Sequence, residues 1–224
     1  MKTTTDLFIR HFSFWPHLTE AQRAFLNDHT RPVRYGKGAA VQREMGDCLG
    51  VLLVKKGQLR AYALSEDGRD VTLHRFGPDE VSVMTATCSL EAVTFRVFID
   101  AVEDTKALLT DAKAFRRLAE ENIYVRCFGY ERAATSLSEM LWQFQQVLFL
   151  SVDRRLAIFL QEESQHHGPA IRLTHEQIAR NIGSAREVVS RLLKCFSQEG
   201  LVAVSRGSLY ILNAERLKQI AGVT

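Results

Sequence analysis

The sequence predicts an α+β protein in which a β-roll (a double-stranded β-helix), a long helix and a winged helix-turn-helix follow one another. Seven of the 13 glycines fall between Gly36 and Gly77, a density typical of short strands joined by tight turns. A heptad pattern of apolar residues comes next, and two short amphipathic segments separated by Gly183 lie in the last third. The predicted domains are residues 1–110, 111–150 and 151–224.

Length and composition restrict the class of protein. The 224 residues are 46% hydrophobic and 25% charged, which is typical of a globular chain and excludes a disordered or collagen-like one. No apolar run approaches the roughly 18 residues that a membrane helix needs, and the N-terminus lacks a signal-peptide pattern, so we expect a cytoplasmic protein. Residues 1–150 hold 19 basic and 19 acidic residues, whereas residues 151–224 hold 10 and 7. The net charge of +3 therefore comes entirely from the last third.

The cysteines predict reduced thiols, because they are far apart and form no CxxC pair of the kind that a disulfide framework or zinc ribbon uses. They are Cys48, Cys88, Cys127 and Cys195. Cys48 and Cys88 are the candidates for a redox-sensing thiol, since both lie in the β-rich half.

The β-roll is predicted from short apolar runs that end at turn residues. Residues 50–54 and 59–65 form two such runs. Residues 66–69 indicate a hairpin turn, and residues 71–76 form the strand that follows it. Five apolar residues then alternate with the residues between them, as in a half-buried strand: Val93, Phe95, Val97, Ile99 and Ala101.

Residues 111–150 predict a long dimerisation helix. Apolar residues recur at alternating steps of four and three for more than three heptads, with no proline between them. This seam consists of Ile123, Cys127, Tyr130, Ala134, Leu137, Leu141, Phe144 and Leu148. The helix could pack lengthwise on its own β-roll. We favour a parallel homodimer, because the seam is longer than the core of a small domain requires.

The last domain predicts two capped helices and a wing. Residues 152–161 indicate a first helix, which the solvated linker His166-His-Gly-Pro169 is expected to break; a metal site is not favoured at these histidines. Thr174–Gln177 and Ser184–Glu187 each have the form of a capping box, one on either side of a turn at Gly183. The second helix is expected to bury Val188, Leu192 and Phe196. Residues 201–205 and 208–212 predict the two strands of the wing.

The exposed face of the second helix predicts a DNA-reading surface. Arginine can donate two hydrogen bonds to guanine, glutamate can accept one from cytosine, and the N-terminal half of such a helix enters the major groove. The base-reading candidates are Arg186, Glu187, Ser190 and Arg191, and the phosphate-binding candidates are Thr174, His175, Arg180, Lys194 and Arg206. Each has a structural alternative: Glu187 also completes a capping box, and the arginines could be ordinary surface charges.

The chain resembles, over nearly its whole length, the cyclic-AMP receptor/fumarate-nitrate regulator (CRP/FNR) family of bacterial transcription factors. The segment Leu173–Leu193 carries the resemblance, with Arg186-Glu187-x-x-Ser190-Arg191 matching the recognition-helix pattern of the family. The resemblance implies a β-roll like a cyclic-nucleotide-binding domain and RNA polymerase as a partner. It also implies homodimers on a palindromic site with TGA-containing half-sites about 34 Å apart.

The expected effector is an unknown small molecule or redox signal. Cyclic-nucleotide binders of the family use a glutamate and an arginine that residues 81–90 lack, and a buried phosphate without a cation is costly. The iron–sulfur sensors use cysteines near the N-terminus, where this chain has none before Cys48. The carbon-monoxide sensors place a cysteine and a histidine where this chain has Ser82 and Met84, which argues against haem. The candidate effector pocket consists of Val81, Ser82, Met84, Thr85 and Cys88.

The sequence thus predicts an effector-controlled, DNA-binding transcription regulator and no enzyme. One alternative is a sensor module that binds a ligand or partner without binding DNA. Another is a cupin-like metal enzyme, which needs a His-x-His pair, a glutamate and a further histidine, whereas the strand region offers only His74.

Overall fold

A computed structural model describes residues 4–42, 49–65, 68, 70–83, 97–205 and 208–222. The chain divides into two compact units, one of residues 1–69 and 73–140 and the other of residues 70–72 and 141–224. The long helix crosses this division after Met140. The three-domain division of the sequence analysis stays a prediction.

The first unit contains helices and two four-stranded sheets. Its strands are β1 (Thr30–Tyr35), β2 (Ala40–Gln42), β3 (Gly50–Lys56), β4 (Leu59–Leu64), β5 (Asp70–Phe76, whose first three residues are assigned to the second unit), β6 (Val81–Ser82), β7 (Phe98–Ala101) and β8 (Thr105–Asp111). Its helices are α1 (Thr4–His11), α2 (Glu20–Asp28), α3 (Ala112–Glu121) and the first part of α4 (Ile123–Phe149). The strand orders are β1-β8-β3-β6 and β2-β7-β4-β5, which bears out the β-roll prediction.

Strand β3 lies between two hydrophobic cores, which explains its continuous apolar run. Val51 and Leu53 are buried in a core shared with the N-terminal helices, whereas Leu52 and Val54 are buried in the core between the two sheets. Successive side chains point to opposite faces of a strand, so a strand covered on both faces is apolar throughout. The turn into β4 uses Gly57 at φ +86°, where a Cβ atom would lie 2.5 Å from a backbone carbonyl oxygen.

The other predicted strands are confirmed where the structure describes them. The runs at 59–65 and 71–76 lie in β4 and β5. Of the alternating stretch that begins at Val93, the residues from 97 onward are described, and Phe98–Ala101 form β7. Three of the four residues of the turn at 66–69 lie outside the described residues.

An aromatic cluster that the sequence analysis did not predict joins the N-terminal helices to α4. The rings of Phe12 and Phe14 stack with centroids 5.1 Å apart, and both meet the ring of Phe128 edge-on, at 5.5 and 5.1 Å. Phe8 stacks on Phe12 from α1. These buried rings make α1 part of the first core.

The predicted single helix over 111–150 is wrong at its beginning, because Asn122 separates α3 from α4. Asn122 has extended backbone angles, φ −136° and ψ 115°. Its side-chain amide donates to the carbonyl of His17 at 3.0 Å, and its side-chain oxygen accepts from the backbone N–H of Tyr124 at 3.0 Å. The side chain thus satisfies one of the N–H groups that the first turn of α4 leaves without a partner.

The second unit is a helical domain with a small sheet. Its elements after α4 are α5 (Val152–His167), β9 (Ala170–Ile171), α6 (His175–Ile182), α7 (Arg186–Gln198), β10 (Val202–Ser205), β11 (Ser208–Ile211) and α8 (Ala214–Ala221). The strands pair antiparallel in the order β10-β11-β9. Leu156 and Leu160 of α5, Ile178 of α6, Leu193 of α7 and Leu217 of α8 form its core.

The predicted break at His166 is wrong, because α5 continues through both histidines and ends at Gly168 with φ +85°. Gly168 and Pro169 are therefore the first residues of the segment 166–169 that disfavour a helical conformation. The described residues contain no group of three or more His, Cys, Asp or Glu side chains placed to hold a metal ion. Within the same ranges, no helix has the length and apolarity needed to cross a bilayer.

Candidate functional site

The capping box predicted at the start of α6 is confirmed. The Thr174 hydroxyl accepts a hydrogen bond from the backbone N–H of Gln177 at 3.2 Å, and the Gln177 side chain accepts one from the backbone N–H of Thr174 at 2.8 Å. The helix ends at Gly183, which has the left-handed angles φ +61° and ψ +51°. Glycine adopts this conformation without the steric cost that a Cβ atom adds.

The second predicted capping box is wrong. The backbone N–H of Ser184 bonds to the carbonyl of Ala179 at 2.9 Å, so Ser184 closes the end of α6. The carbonyl of Ala185 then accepts from both Val188 and Val189 at 3.1 Å, and Ala185 is the N-cap of α7 without a side-chain cap. Glu187 is consequently the second residue of α7 and has no capping role.

The buried stripe of α7 lies one residue from the predicted one. Val189 and Leu193 are buried together with Phe196, whereas Val188 and Leu192 are only partly buried. This small rotation still leaves the predicted base-reading face in solvent. Arg186, Glu187, Ser190, Arg191 and Lys194 are all exposed and line one open groove of about 400 Å³.

The charges in this groove are available to a ligand. Among the residues that the structure describes, Arg186, Glu187, Arg191 and Lys194 form no ion pair within 4 Å. Three cations and one carboxylate therefore face solvent along one helix. Guanidinium groups without intramolecular partners can donate paired hydrogen bonds to a base edge or a phosphate.

The phosphate candidates are only partly brought to this surface. Thr174 is exposed at the start of α6 and His175 follows it, half-buried. Lys194 lies in the groove of α7. Arg180 is near the end of α6, where its guanidinium contacts the carboxylates of Asp70 at 3.1 Å and of Glu176, one turn earlier, at 3.4 Å. Arg206 lies outside the described residues.

The predicted wing is confirmed as two strands. β10 and β11 pair antiparallel from Val202 opposite Ile211 to Ser205 opposite Ser208, where the two serine hydroxyls bond to each other. The two-residue strand β9 adds a third member that the sequence pattern was too short to indicate.

The heptad seam of α4 is exposed in the single chain. All eight seam residues are exposed, with Leu137 at 52%, Leu141 at 53% and Leu148 at 73%. A different face of α4, with Val125 and Phe128, packs in the core of the first unit. The helix therefore packs on the first unit through the face that carries Val125 and Phe128, and not through the seam. Trp142 and Phe149, which the sequence analysis did not single out, enlarge the exposed apolar surface at the end of the helix.

A cavity of about 410 Å³ lies in the first unit between α1, the β5–β6 turn and α4. Of the five residues predicted for the effector pocket, Val81 lines it, Ser82 is buried nearby in β6, and Met84, Thr85 and Cys88 lie outside the described residues. The contribution of α1 to the wall of this cavity was not predictable from the sequence, because no local pattern connects residues 10–13 with α4.

The walls of this cavity carry charges of both signs. His74 contacts the carboxylate of Glu139 at 3.3 Å, and His11 contacts Asp79 at 3.2 Å. Its carboxylates are Asp79, Glu80, Glu131 and Glu139, and its arginines are Arg10 and Arg132. Among the wall residues that the structure describes, carboxylates outnumber arginines, and a carboxylate-rich surface is a poor partner for a phosphate.

The comparisons with known proteins agree with this architecture. Residues 154–220 match the model of the Crp-like helix-turn-helix domain. A crystal structure from Eubacterium rectale, assigned to the Crp/Fnr family of transcriptional regulators, is 36% identical and superposes with a TM-score of 0.91. The alignment covers 95% of this chain and 99% of that one.

Two more distant relatives extend the similarity. A cyclic AMP receptor protein from Thermus thermophilus is 28% identical over 188 residues, which are 83% of this chain and 85% of the relative. The structure of FixK2 from Bradyrhizobium japonicum is 21% identical with a TM-score of 0.71, covers 87% of this chain and 98% of its own, and shares the fold. The chain therefore belongs to the CRP/FNR family of transcription regulators.

Proposed function

We propose that this regulator binds a palindromic DNA site as a homodimer, with α7 of each copy in one of two adjacent major grooves. The exposed groove of α7 carries the proposal. Its charged side chains have no ion-pair partners within the described part of the chain, and the helix-turn-helix presents them on one face. Because the family consists of transcription regulators and not enzymes, the cupin-like alternative is rejected.

The side chains of the groove have different roles in this proposal. Arg186 and Arg191 donate to guanine O6 and N7, and Glu187 accepts from cytosine N4, so that together they read a G·C-containing half-site. Ser190 adds a short donor or acceptor between them. Lys194 lies further along α7 and binds a phosphate, which orients the helix without reading sequence.

The second copy of the chain is the proposed partner of the exposed seam. Eight seam residues over a 27-residue helix leave an apolar surface that a heptad pairing with another α4 would cover. A two-fold dimer also matches a palindromic site, whose half-sites would be about 34 Å apart. RNA polymerase is the proposed protein partner, by similarity to the family.

The cavity beside α4 is the proposed effector site. Its wall includes His74 of β5 and Glu139 of α4, so a bound molecule would contact both the sheet and the helix that carries the seam. An effector that binds the DNA-competent form more tightly shifts the population toward it, by no more than its difference in affinity for the two forms.

Selection of binding sites from a random DNA pool, with the full-length chain and with or without cell extract, tests the proposal. We expect enrichment of a palindrome in at least one of the two conditions. Enrichment only with extract would indicate that an effector is required. No enrichment in either condition would contradict sequence-specific binding and favour the sensor module.

Replacement of one arginine then tests base reading. Arg191→Ala is expected to weaken binding to the selected site by about 1–3 kcal/mol per half-site and to relax its base preference. Arg216→Ala is the matched control, because Arg216 is exposed on α8 and its removal changes the net charge equally. Equal losses on selected and scrambled DNA for Arg191→Ala would contradict its role in base reading.

A further inference from the structure

A buried arginine of α5 holds the turn of the helix-turn-helix. Arg155 is 8% exposed, and its Nη1 atom donates to the carbonyl oxygens of Ile182 at 2.6 Å and Gly183 at 3.2 Å. These are the last residue of α6 and the first residue of the turn that leads to α7. Within the described ranges, no carboxylate lies within 4 Å of this guanidinium.

The physical chemistry of a helix end explains this pairing. The last carbonyl groups of an α-helix have no partner within the helix, and they carry the negative end of its dipole. A cation placed against them satisfies their hydrogen bonds and is stabilised by the dipole. Burial lowers the pKa of Arg155 from its ordinary value, because desolvation disfavours the charged form. A buried charge of this kind tolerates little displacement of its acceptors, since an unpaired charge inside a protein is costly.

The acceptors of Arg155 lie at the point that determines where α7 begins. Gly183 has the left-handed conformation, and the N–H of Ser184 closes α6 on the carbonyl of Ala179. Ala185 follows as the N-cap of α7, so two residues separate the Gly183 carbonyl from Arg186. Because α7 lacks a side-chain cap, the turn itself sets the position of its first residues.

We propose that Arg155 is a positioning residue for DNA recognition: it fixes the α6–α7 turn and thereby the approach of α7 to a base edge. This inference rests on the proposed DNA-binding function. The residue does not touch DNA in this role. Binding sites require their contacting groups to be held within about 0.5 Å, which the buried hydrogen bonds of Arg155 provide at the base of the recognition helix.

The test compares Arg155→Met with Arg154→Met. Methionine keeps most of the apolar stem and removes the donors. Arg154 is the matched control, because it precedes Arg155 on α5 and donates to a carbonyl at the end of a different helix, that of Ala221 in α8, at 3.3 Å. Affinity is measured for the selected palindrome and for a scrambled duplex, at a temperature where circular dichroism shows each variant folded.

Arg155→Met is expected to reduce the ratio of selected to scrambled affinity by about tenfold, comparable to the loss of one base contact. Scrambled-duplex affinity should stay near the wild-type value, because the phosphate-binding cations are unchanged. Arg154→Met should leave the ratio unchanged. A wild-type ratio in Arg155→Met would overturn the inference, even if the variant melts at a lower temperature, because lower stability alone does not change the ratio in folded protein.

Amide hydrogen exchange tests the positioning role of Arg155 independently of DNA binding. Arg155→Met should speed exchange of the amides of residues 184–187 in the absence of DNA, whereas Arg154→Met should not. Unchanged exchange there would overturn the positioning role even if the wild-type chain selects no DNA site, which would itself contradict the proposed function. If Arg155→Met does not fold, Arg155→Lys replaces it in the test, because lysine keeps the charge but has a single donor group. Its ratio of selected to scrambled affinity should lie between those expected for Arg155→Met and for the wild type. A wild-type ratio would overturn the inference.

Discussion

Glu187 shows how a shift of one residue changes what a side chain can do. As the third residue of a capped helix it would bond back to the N-cap, and its carboxylate would be occupied. In the structure it is the second residue of α7, exposed beside Arg191 in the same groove. The carboxylate is therefore available to accept a hydrogen bond from a base, which removes the structural alternative that the sequence left open for this residue.

Cys195 is an exposed thiol near the end of α7 that donates a hydrogen bond to a neighbouring carboxylate. Its Sγ atom donates to the carboxylate of Glu199 one turn later at 3.3 Å, and this hydrogen bond, with smaller effects of desolvation and of the carboxylate charge, raises the pKa of the thiol. Since the thiolate is the nucleophile, Glu199→Gln should make Cys195 react several-fold faster with iodoacetamide at pH 8.

Peptide mass spectrometry of the labelled protein measures this rate at Cys195 alone. Glu215→Gln is the control, because Glu215 is an exposed carboxylate on α8 that contacts Lys218. Equal labelling rates in wild type and Glu199→Gln would contradict the role of the hydrogen bond. The expected slow reaction of the wild-type thiol also argues against Cys195 as a redox sensor.

At the scale of elements, α6 and α7 begin in different ways although their sequences look alike. Thr174 caps α6, whereas Ser184 belongs to the end of α6 and does not cap α7. Thr174→Ala should therefore lower the free energy of unfolding of the second unit by about 1 kcal/mol. Ser184→Ala should change it little. Urea unfolding followed by circular dichroism measures both, and equal losses would indicate that Ser184 caps α7 after all.

Helix α4 carries two apolar faces, and only one of them is covered. Val125 and Phe128 pack in the first core, and Met140 packs in the core between the sheets. The seam on another face stays exposed. A helix that is apolar on two faces needs a packing partner for each face. The core of the same chain covers one face of α4, and the proposed second copy of the chain would cover the seam.

For the whole molecule, the proposed dimer makes a direct prediction. Leu137→Glu places a carboxylate in each half of the paired seam, where an unpaired buried charge costs about 3 kcal/mol or more. Because the dimer contains two such charges, its dissociation constant should then rise by at least about 100-fold. Ser138→Glu, an exposed change beside the seam, is the control. Sedimentation equilibrium distinguishes the outcomes, and a monomeric wild type or a dimeric Leu137→Glu would contradict the proposed seam pairing.

The charge of the whole molecule indicates how its specificity arises. The net charge is +3, and the surplus lies in residues 151–224. Six charges per proposed dimer are a modest attraction for a phosphate backbone, so affinity for random DNA should be weak and should fall further with salt. In the proposed function, specific binding then depends on base contacts of Arg186, Glu187, Ser190 and Arg191.

Much of this architecture was predictable from local patterns in the sequence. Helix periodicity, the Thr174 cap and the apolar runs of β3 to β5 depend on residues within a few positions of each other, and these predictions were confirmed. The beginning of α7 was not predictable, because the N–H of Ser184 bonds back to α6. The position of α1 was not predictable either, because Phe8 of this helix stacks on Phe12, which in turn meets the ring of Phe128 more than a hundred positions away.

The sequence by itself determined the order of the β-roll, the long helix and the winged helix-turn-helix, the family, and the set of side chains proposed to contact DNA, since each depends on residue type and short spacing. The tertiary structure decided which of those side chains share one exposed groove, which face of α4 stays free, and which charge closes the helix-turn-helix turn. Arg155 illustrates the reason: its carbonyl partners lie 27 and 28 residues further along the chain. Only the packing of α5 against α6 buries this arginine and brings its guanidinium into contact with those carbonyl groups.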